Sequence, residues 1–328
     1  MSAVMEPQAL PTAMSAQRLP VVDLHPFLFG DAAERRAVAQ QIASACETYG
    51  FFYLRRHGVP SDTIAGGFAA ARQIFERPLE ERLACRVTRP RQNRGYQPMF
   101  DTAADGGQSD FKESFDMGYP LPADDADMAA GLPFHAPNAW PALPDFRAQV
   151  EGLYFALLHC GRQVLRAMAL GLGADENFFV GRCEKPTTNL RLIHYPPQAA
   201  DPEAGIGARA HADKGLITLL LNDSVGGLHV LSNERQWIVA PPDPQALIVN
   251  VGDLMTRWTN GRFRSALHRV VNATGQERFS IPQFHHPSFH TVVDPLALTP
   301  DAQPAFEPVV AGEFVAKGFS RDRKSWAA

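Results

Sequence analysis

From Thr187 to about residue 290 the chain is cut into seven short runs, TTNLRLIHY, LITLLL, GLHVL, QWIVA, ALIVNV, RSALHRVV and RFSIPQF, separated by glycine, asparagine and proline turns. Alternation at a period of two sends successive side chains to opposite faces of a strand. Several short strands at close, regular spacing fit a β-sandwich or barrel and leave no room for crossover helices. This stretch is therefore expected to be a jelly-roll-like core. Thr259-Asn260-Gly261 reads as a hairpin turn within it. Pro282 conflicts with the pattern, because a residue without an N–H is normally confined to a sheet edge.

The first half reads differently. Pro20 to Leu24 resembles a short strand, and Asp31 with Glu34 forms a capping-box pattern. Val38, Ile42, Ala45, Cys46 and Tyr49 then share one helical face up to Gly50. Phe51 to Leu54 reads as a buried strand. Ser61 is expected to cap a second helix, with Ile64, Phe68, Ala71 and Phe75 inside and Pro78 at its end. Residues 86–144, dense in glycine and proline, are expected to be irregular, and long ordered loops of this kind often border binding sites. Asp145 to about Leu172 is the longest helix candidate, with Asp145 as its cap. Residues 1–18 read as a loose tail and 19–328 as one domain, with 19–172 mainly helical and 187–290 the β core.

With 328 residues, of which 45% are apolar, the chain can bury a full core. A net charge of −4 offers no basic footprint for nucleic acid or an anionic membrane. The expected partner is a small molecule, and no sequence feature fixes the oligomeric state. Cys46, Cys85, Cys160 and Cys183 lie far apart without a C-x-x-C, which suits a reducing cytoplasm. The acidic cluster Asp124, Asp125 and Asp127 lacks the spaced oxygens of a calcium loop and reads as a solvated turn.

The chemistry gathers between His211 and Ser280. In His211-Ala212-Asp213 an imidazole and a carboxylate share one strand face, and His268 is the best third partner. Two histidines and a carboxylate with open positions are the donor set of non-haem Fe(II) oxygenases. Arg278 and Ser280 again share a face and offer a guanidinium fork and a hydroxyl, donors suited to a carboxylate. A metal triad beside such an anchor implies an oxoacid cosubstrate. His285 and His286 are adjacent on a strand and so cannot both point to one metal.

The segments LPVVDL, GFFYLRRHGVP, RLIHYPP, HADKGLITLL, GGLHV, NVGDLMTRWTNGRFRSALHRVVN and RFSIPQFHHP, in this order, resemble the 2-oxoglutarate- and Fe(II)-dependent oxygenases of the isopenicillin N synthase-like family, ethylene-forming members included. The resemblance implies a β-rich α+β fold, a double-stranded β-helix or distorted jelly roll flanked by helices. It further implies Fe(II) held by His211, Asp213 and His268, 2-oxoglutarate as cosubstrate and O2 as oxidant, with succinate and CO2 released as a C–H bond of a small metabolite is hydroxylated. Arg278 and Ser280, with Tyr195 and Arg191, are the implied cosubstrate contacts. Tyr96, Lys112 and Asp116 lie in segments that resemble substrate-bordering ones. Three departures bear on the substrate. Ala212 stands where threonine is common, Lys214 replaces an aromatic residue, and Gln283, His285 and His286 make the end of the last strand more polar. An ammonium at Lys214 would favour an anionic substrate. Oxidative ring closure, desaturation or ethylene formation on the same iron, and a silent cupin-like binding protein, stay open at this point.

Overall fold

The computed structural model describes residues 12–87, 92–99, 110–197, 206–272 and 274–319. In chain order the elements begin with β1 (Val21–Asp23), α1 (His25–Phe29), α2 (Ala32–Thr48), β2 (Phe51–Arg55), α3 (Ser61–Phe75) and α4 (Leu79–Leu83). After them come β3 (Gly95–Gln97), β4 (Glu113–Gly118), α5 (Ala126–Ala129), α6 (Phe146–Gly171), β5 (Asn189–Tyr195), β6 (Ile206–His211) and β7 (Ile217–Asn222). The last group is β8 (Leu228–Leu231), β9 (Trp237–Ala240), β10 (Ala246–Val251), α7 (Asp253–Trp258), β11 (His268–Val271), β12 (Arg278–His285) and α8 (Ala311–Phe319).

Two sheets make the distorted jelly roll. The larger runs β1-β2-β10-β7-β12-β5-β4-β3 and the smaller β6-β11-β8-β9. Strand alternation splits the apolar residues of the larger sheet into two sets. Phe51, Tyr53, Ile193, Tyr195 and Ile248 turn inward and pack with Ala208, Leu228, Val230, Ile238, Ala240 and Val270 of the smaller sheet. Phe52, Leu54, Leu190, Leu192, Leu219, Leu221, Leu247, Val249, Phe279 and Ile281 turn outward onto the helices, chiefly α2, α3 and α6. The helices cover one face and leave the other free to line a site.

Several local expectations change. Asp31 does form the capping box with Glu34, but Ser61 caps nothing: Pro60 occupies the cap position and no side chain accepts from the first turn of α3. That helix stops at Phe75, and Pro78 is instead the cap residue of α4. Asp145 precedes α6 in the left-handed region, φ 56°, which turns its carboxylate away from the capping N–H groups. Residues 86–144 are not irregular throughout, since β3 and β4 pair and extend the larger sheet through β5. Thr259-Asn260-Gly261 closes α7 rather than joining two strands, with Asn260 and Gly261 at positive φ. In the segment read as a loose tail, residues 12–18 include a parallel bridge between Met14 and Trp237, and residues 1–11 lie outside the described set. Asp125 and Asp127 are not merely solvated but share Lys185 at 2.8 and 2.7 Å.

Pro282 sits in an interior strand. The ladder from β12 to β7 is continuous from Ser280 to His285, whereas the ladder to β5 lapses at Ile281 and Pro282. The break falls at the residue with no N–H to give. Two of the three polar residues expected to mark the end of this strand face away from the interior. Gln283 donates to the Tyr154 carbonyl of α6 at 2.9 Å and His285 packs under Gly161, so both belong to the outer face, while the half-buried Phe284 is on the inner one.

A Cβ at Gly161 would lie 2.1 Å from the ring of His285, which is itself 2% exposed and has nowhere to go. Gly161→Ala is expected to destabilise the fold by about 1–3 kcal/mol through overpacking. Urea denaturation monitored by tryptophan fluorescence checks this, and an unchanged midpoint would show that α6 can shift away from β12.

Candidate functional site

Three side chains converge where the two sheets meet. His211 ends β6 and His268 opens β11, and the two residues are direct partners in the antiparallel register. The register of this pair of strands shifts beyond His268, a local bulging of the kind that re-aims side chains. Asp213 follows β6 and reaches in from the start of the next turn. Nitrogen and oxygen atoms of the three lie within 4.8 Å of one another, and Asp213 Oδ1 is 3.9 Å from Nε2 of each histidine.

Each donor is oriented by a second contact. His211 Nδ1 is 2.7 Å from the Arg209 carbonyl and His268 Nδ1 is 3.2 Å from the Ala266 carbonyl, so each Nδ1 carries the proton and each Nε2 lone pair faces the centre. Asp213 Oδ2 accepts from Thr218 Oγ1 at 2.6 Å and Asn250 Nδ2 at 2.7 Å, which leaves Oδ1 for the centre. Burial works to raise the Asp213 carboxyl, but His268, His211 and those two hydrogen bonds outweigh it and hold it below the ordinary carboxylate range. Desolvation and then the neighbouring His268 push His211 down to about 4. Since 46% of the His211 side chain is open to solvent, desolvation acts on it less than on a fully enclosed ring. The result is one carboxylate and two imidazoles turned to a shared point, a donor set that fits a divalent iron.

Along the inner face of β12 lies a second feature. Arg278 is 1% exposed, yet no carboxylate among the described residues comes within 4 Å of it. Its Nε donates to the Gly226 carbonyl at 2.6 Å, one Nη to Asn222 Oδ1 at 2.7 Å and the other to Ser280 Oγ at 3.2 Å. The guanidinium stands over the Tyr195 ring, 4.7 Å from its centroid. Three of its five N–H groups are thus used and two are left. A buried cation with neutral partners alone is costly unless an anion joins it. The cradle fits a carboxylate.

The other expected residues fall in different places. Arg191 is on the same inner face, but its guanidinium grips Asp116 at 2.7 and 3.1 Å, and Asp116 also accepts from Asn189 and Gln97. Arg191 is therefore engaged with the carboxylate of Asp116, which is itself fully buried. Tyr96 is a correction. Its register partner is Phe115, on the helix-covered face, and its hydroxyl donates to Glu113. Alternation along β3 turns it away from the interior and turns Gln97 toward it. Lys112 pairs with Asp110 at 2.8 Å, and Asp110 also accepts from the backbone N–H of Arg209, two residues before His211. Lys214 is held by Asp253 at 2.6 Å and packs beside Gly318 of α8. His194, on the outer face, bridges Glu113 at 2.7 Å and Glu277 at 2.8 Å and is stacked between Phe75 and Phe279.

A model of the 2OG-Fe(II) oxygenase superfamily matches residues 186–287, and one described as non-haem dioxygenase in morphine synthesis N-terminal matches residues 19–143. The chain belongs to the 2-oxoglutarate- and Fe(II)-dependent oxygenase family. This oxygenase is 35% identical over 306 residues to the 2-oxoglutarate-Fe(II) type oxidoreductase hxnY of Emericella nidulans, covering 90% of this chain and 88% of that one. It is 38% identical over 280 residues to the 2-oxoglutarate-dependent dioxygenase citB of Monascus ruber, covering 81% and 84%. Among solved structures, a 2OG-Fe(II) oxygenase family protein from Caulobacter crescentus superposes with a TM-score of 0.82 at 31% identity, covering 92% and 98%. A full-length Neurospora crassa protein crystallised with alpha-KG and thymine does so with 0.82 at 29%, covering 92% and 96%. The oxygenase uses Fe(II), 2-oxoglutarate and O2. Among its described residues, no helix is long and apolar enough to cross a membrane.

Thr218, Asn250, Asn222 and the Gly226 carbonyl were not found by sequence reasoning. The first three carry a signal that could have been used, each being a polar residue in an otherwise apolar run. Removing the two hydrogen bonds to Asp213 Oδ2 frees the carboxylate to rotate. Thr218→Val combined with Asn250→Leu is expected to weaken Fe(II) binding about 10- to 100-fold. An anaerobic Fe(II) titration followed by calorimetry measures it, and parent-like affinity would mean that Asp213 is held by packing alone.

Proposed function

We propose that this oxygenase hydroxylates a C–H bond of a small molecule, with His211, Asp213 and His268 as the only protein ligands of one Fe(II) and Arg278 as the principal anchor of 2-oxoglutarate. The observation that carries the reading is the pairing of two incomplete sites between the two sheets: three donors aimed at a shared point, and a buried guanidinium with two free N–H groups and no counter-ion among the described residues.

The residues divide the work. His211 and His268 each donate from Nδ1 to a backbone carbonyl, which turns both Nε2 atoms toward the centre. Asp213 supplies the one negative charge at the centre, through Oδ1 because Oδ2 is tied to Thr218 and Asn250. Arg278 receives the far carboxylate of 2-oxoglutarate. Ser280 accepts from Arg278 and therefore keeps its own O–H to donate to the same carboxylate, while the Tyr195 ring walls the cradle from below. Bound Fe(II) supplies the activation of O2, coupled to oxidative decarboxylation of 2-oxoglutarate to succinate and CO2 and to insertion of one oxygen atom into the substrate bond. Phe51, edge-on to His268 at 5.2 Å, and the apolar residues between the sheets exclude water from the reaction space.

The test has two arms. The parent should release one succinate per 2-oxoglutarate consumed, with oxygen incorporated into the co-product. Arg278→Leu should retain Fe(II) and lose 2-oxoglutarate binding by on the order of 3–5 kcal/mol, as for a charged partner removed from a buried pair. An unchanged 2-oxoglutarate affinity in Arg278→Leu, or parent-like Fe(II) affinity in His268→Ala, would overturn the residue assignment.

A further inference from the structure

The three ligand residues are unequally covered. The side chains of Asp213 and His268 are 7% and 10% exposed, against 46% for His211. The centre therefore opens to solvent along the His211 edge, and whatever enters must pass the groups beside it.

Two cations stand there around one carboxylate. Asp110 Oδ1 accepts from the backbone N–H of Arg209 at 3.4 Å and lies 3.5 Å from the Arg209 guanidinium. Its Oδ2 is 2.8 Å from the Lys112 ammonium. Arg209 is two residues before His211, and its own carbonyl orients that histidine. Lys112 is tied to the same stretch of chain through Asp110, whose other oxygen takes the Arg209 backbone N–H. The Lys112 side chain is 16% exposed and that of Arg209 33%, so neither charge is fully relieved by water.

Charge balance on the loaded inner wall then selects a ligand. Fe(II), Asp213, dianionic 2-oxoglutarate and Arg278 cancel, with the imidazoles neutral. Arg191 and Asp116 cancel as a pair. Among the described residues Lys112 and Arg209 share one carboxylate, Asp110, so one positive charge remains at the opening. Half-covered charge of this sort is under-solvated, and its attraction for an anion is larger than at an open surface.

We propose that Lys112 and Arg209 anchor a carboxylate on the primary substrate, so that the enzyme acts on small monocarboxylates. The inference rests on the functional reading above. A single excess charge matches a monoanion better than a phosphate dianion, which would overshoot it. The planar fork of Arg209 suits a carboxylate, and the flexible ammonium of Lys112 can reach the same group. The Asp110 carboxylate holds both cations in place when no substrate is bound.

The experiment uses full-length enzyme loaded anaerobically with Fe(II) and saturated with 2-oxoglutarate, titrated by calorimetry with benzoate, phenylacetate, hexanoate and decanoate and with the primary amide of each. At least one acid is expected to bind tighter than its amide by about 10- to 100-fold. Lys112→Met and Arg209→Met should each erase most of that preference, and Lys112→Arg should keep it. 2-Oxoglutarate affinity is measured on every protein beforehand. Failure of the parent to bind 2-oxoglutarate overturns the functional reading itself. If 2-oxoglutarate binds but no acid outcompetes its amide, or the methionine variants keep the preference, the carboxylate anchor is wrong while that reading stands.

Discussion

Everything at the centre depends on the pair of hydrogen bonds that fix Asp213 Oδ2. Thr218 comes from β7 and Asn250 from β10, neighbours in the larger sheet, while the two histidines belong to the smaller one. The carboxylate is thus the point at which one sheet is tied to the other across the mouth of the barrel. Were Oδ2 free, Asp213 would have two equivalent oxygens and a rotating side chain, and the three donors would no longer share one focus. The low-dielectric surroundings make the two bonds strong, and they also make the carboxylate costly to leave unpaired.

The same economy of position governs β12. Arg278, Ser280, Pro282 and Phe284 face inward and Phe279, Ile281, Gln283 and His285 face the helices, as the burial and contacts of each residue show. A cation can be buried at Arg278 because the strand delivers Asn222 and a carbonyl beside it, and because the outward neighbours of Arg278 supply the packing that holds the strand in register. Pro282 costs part of one ladder and leaves the other intact.

What could be read from sequence follows from which signals are local. His211, Asp213 and His268 stood out because metal ligation demands scarce residue types in a strand frame, and Arg278 with Ser280 because the period of two is a local rule. The β core was legible from its short alternating runs for the same reason. Thr218 and Asn250 were not, since their value lies in the register of β7 against β10, which no short window contains. Tyr96 was misplaced because its facing depends on β3 pairing with β4 in a stretch whose glycines and prolines argued against strands. The pairing of Lys214 with Asp253 is hidden from any short window because its members lie 39 residues apart. Asp145 has a capping residue type and the wrong backbone angle for the task. In each case the missing information was non-local or conformational.

The two-sided larger sheet has a consequence for how such enzymes diversify. Inward positions answer to the ligand and outward ones to the helices, and the two sets interleave residue by residue along a single strand. A substitution at Phe284 alters what the interior can hold without touching the packing under α6, and one at Ile281 or Gln283 does the reverse. Substrate range can therefore drift under selection while folding stays constrained. A shared architecture thus does not fix the molecule that is consumed.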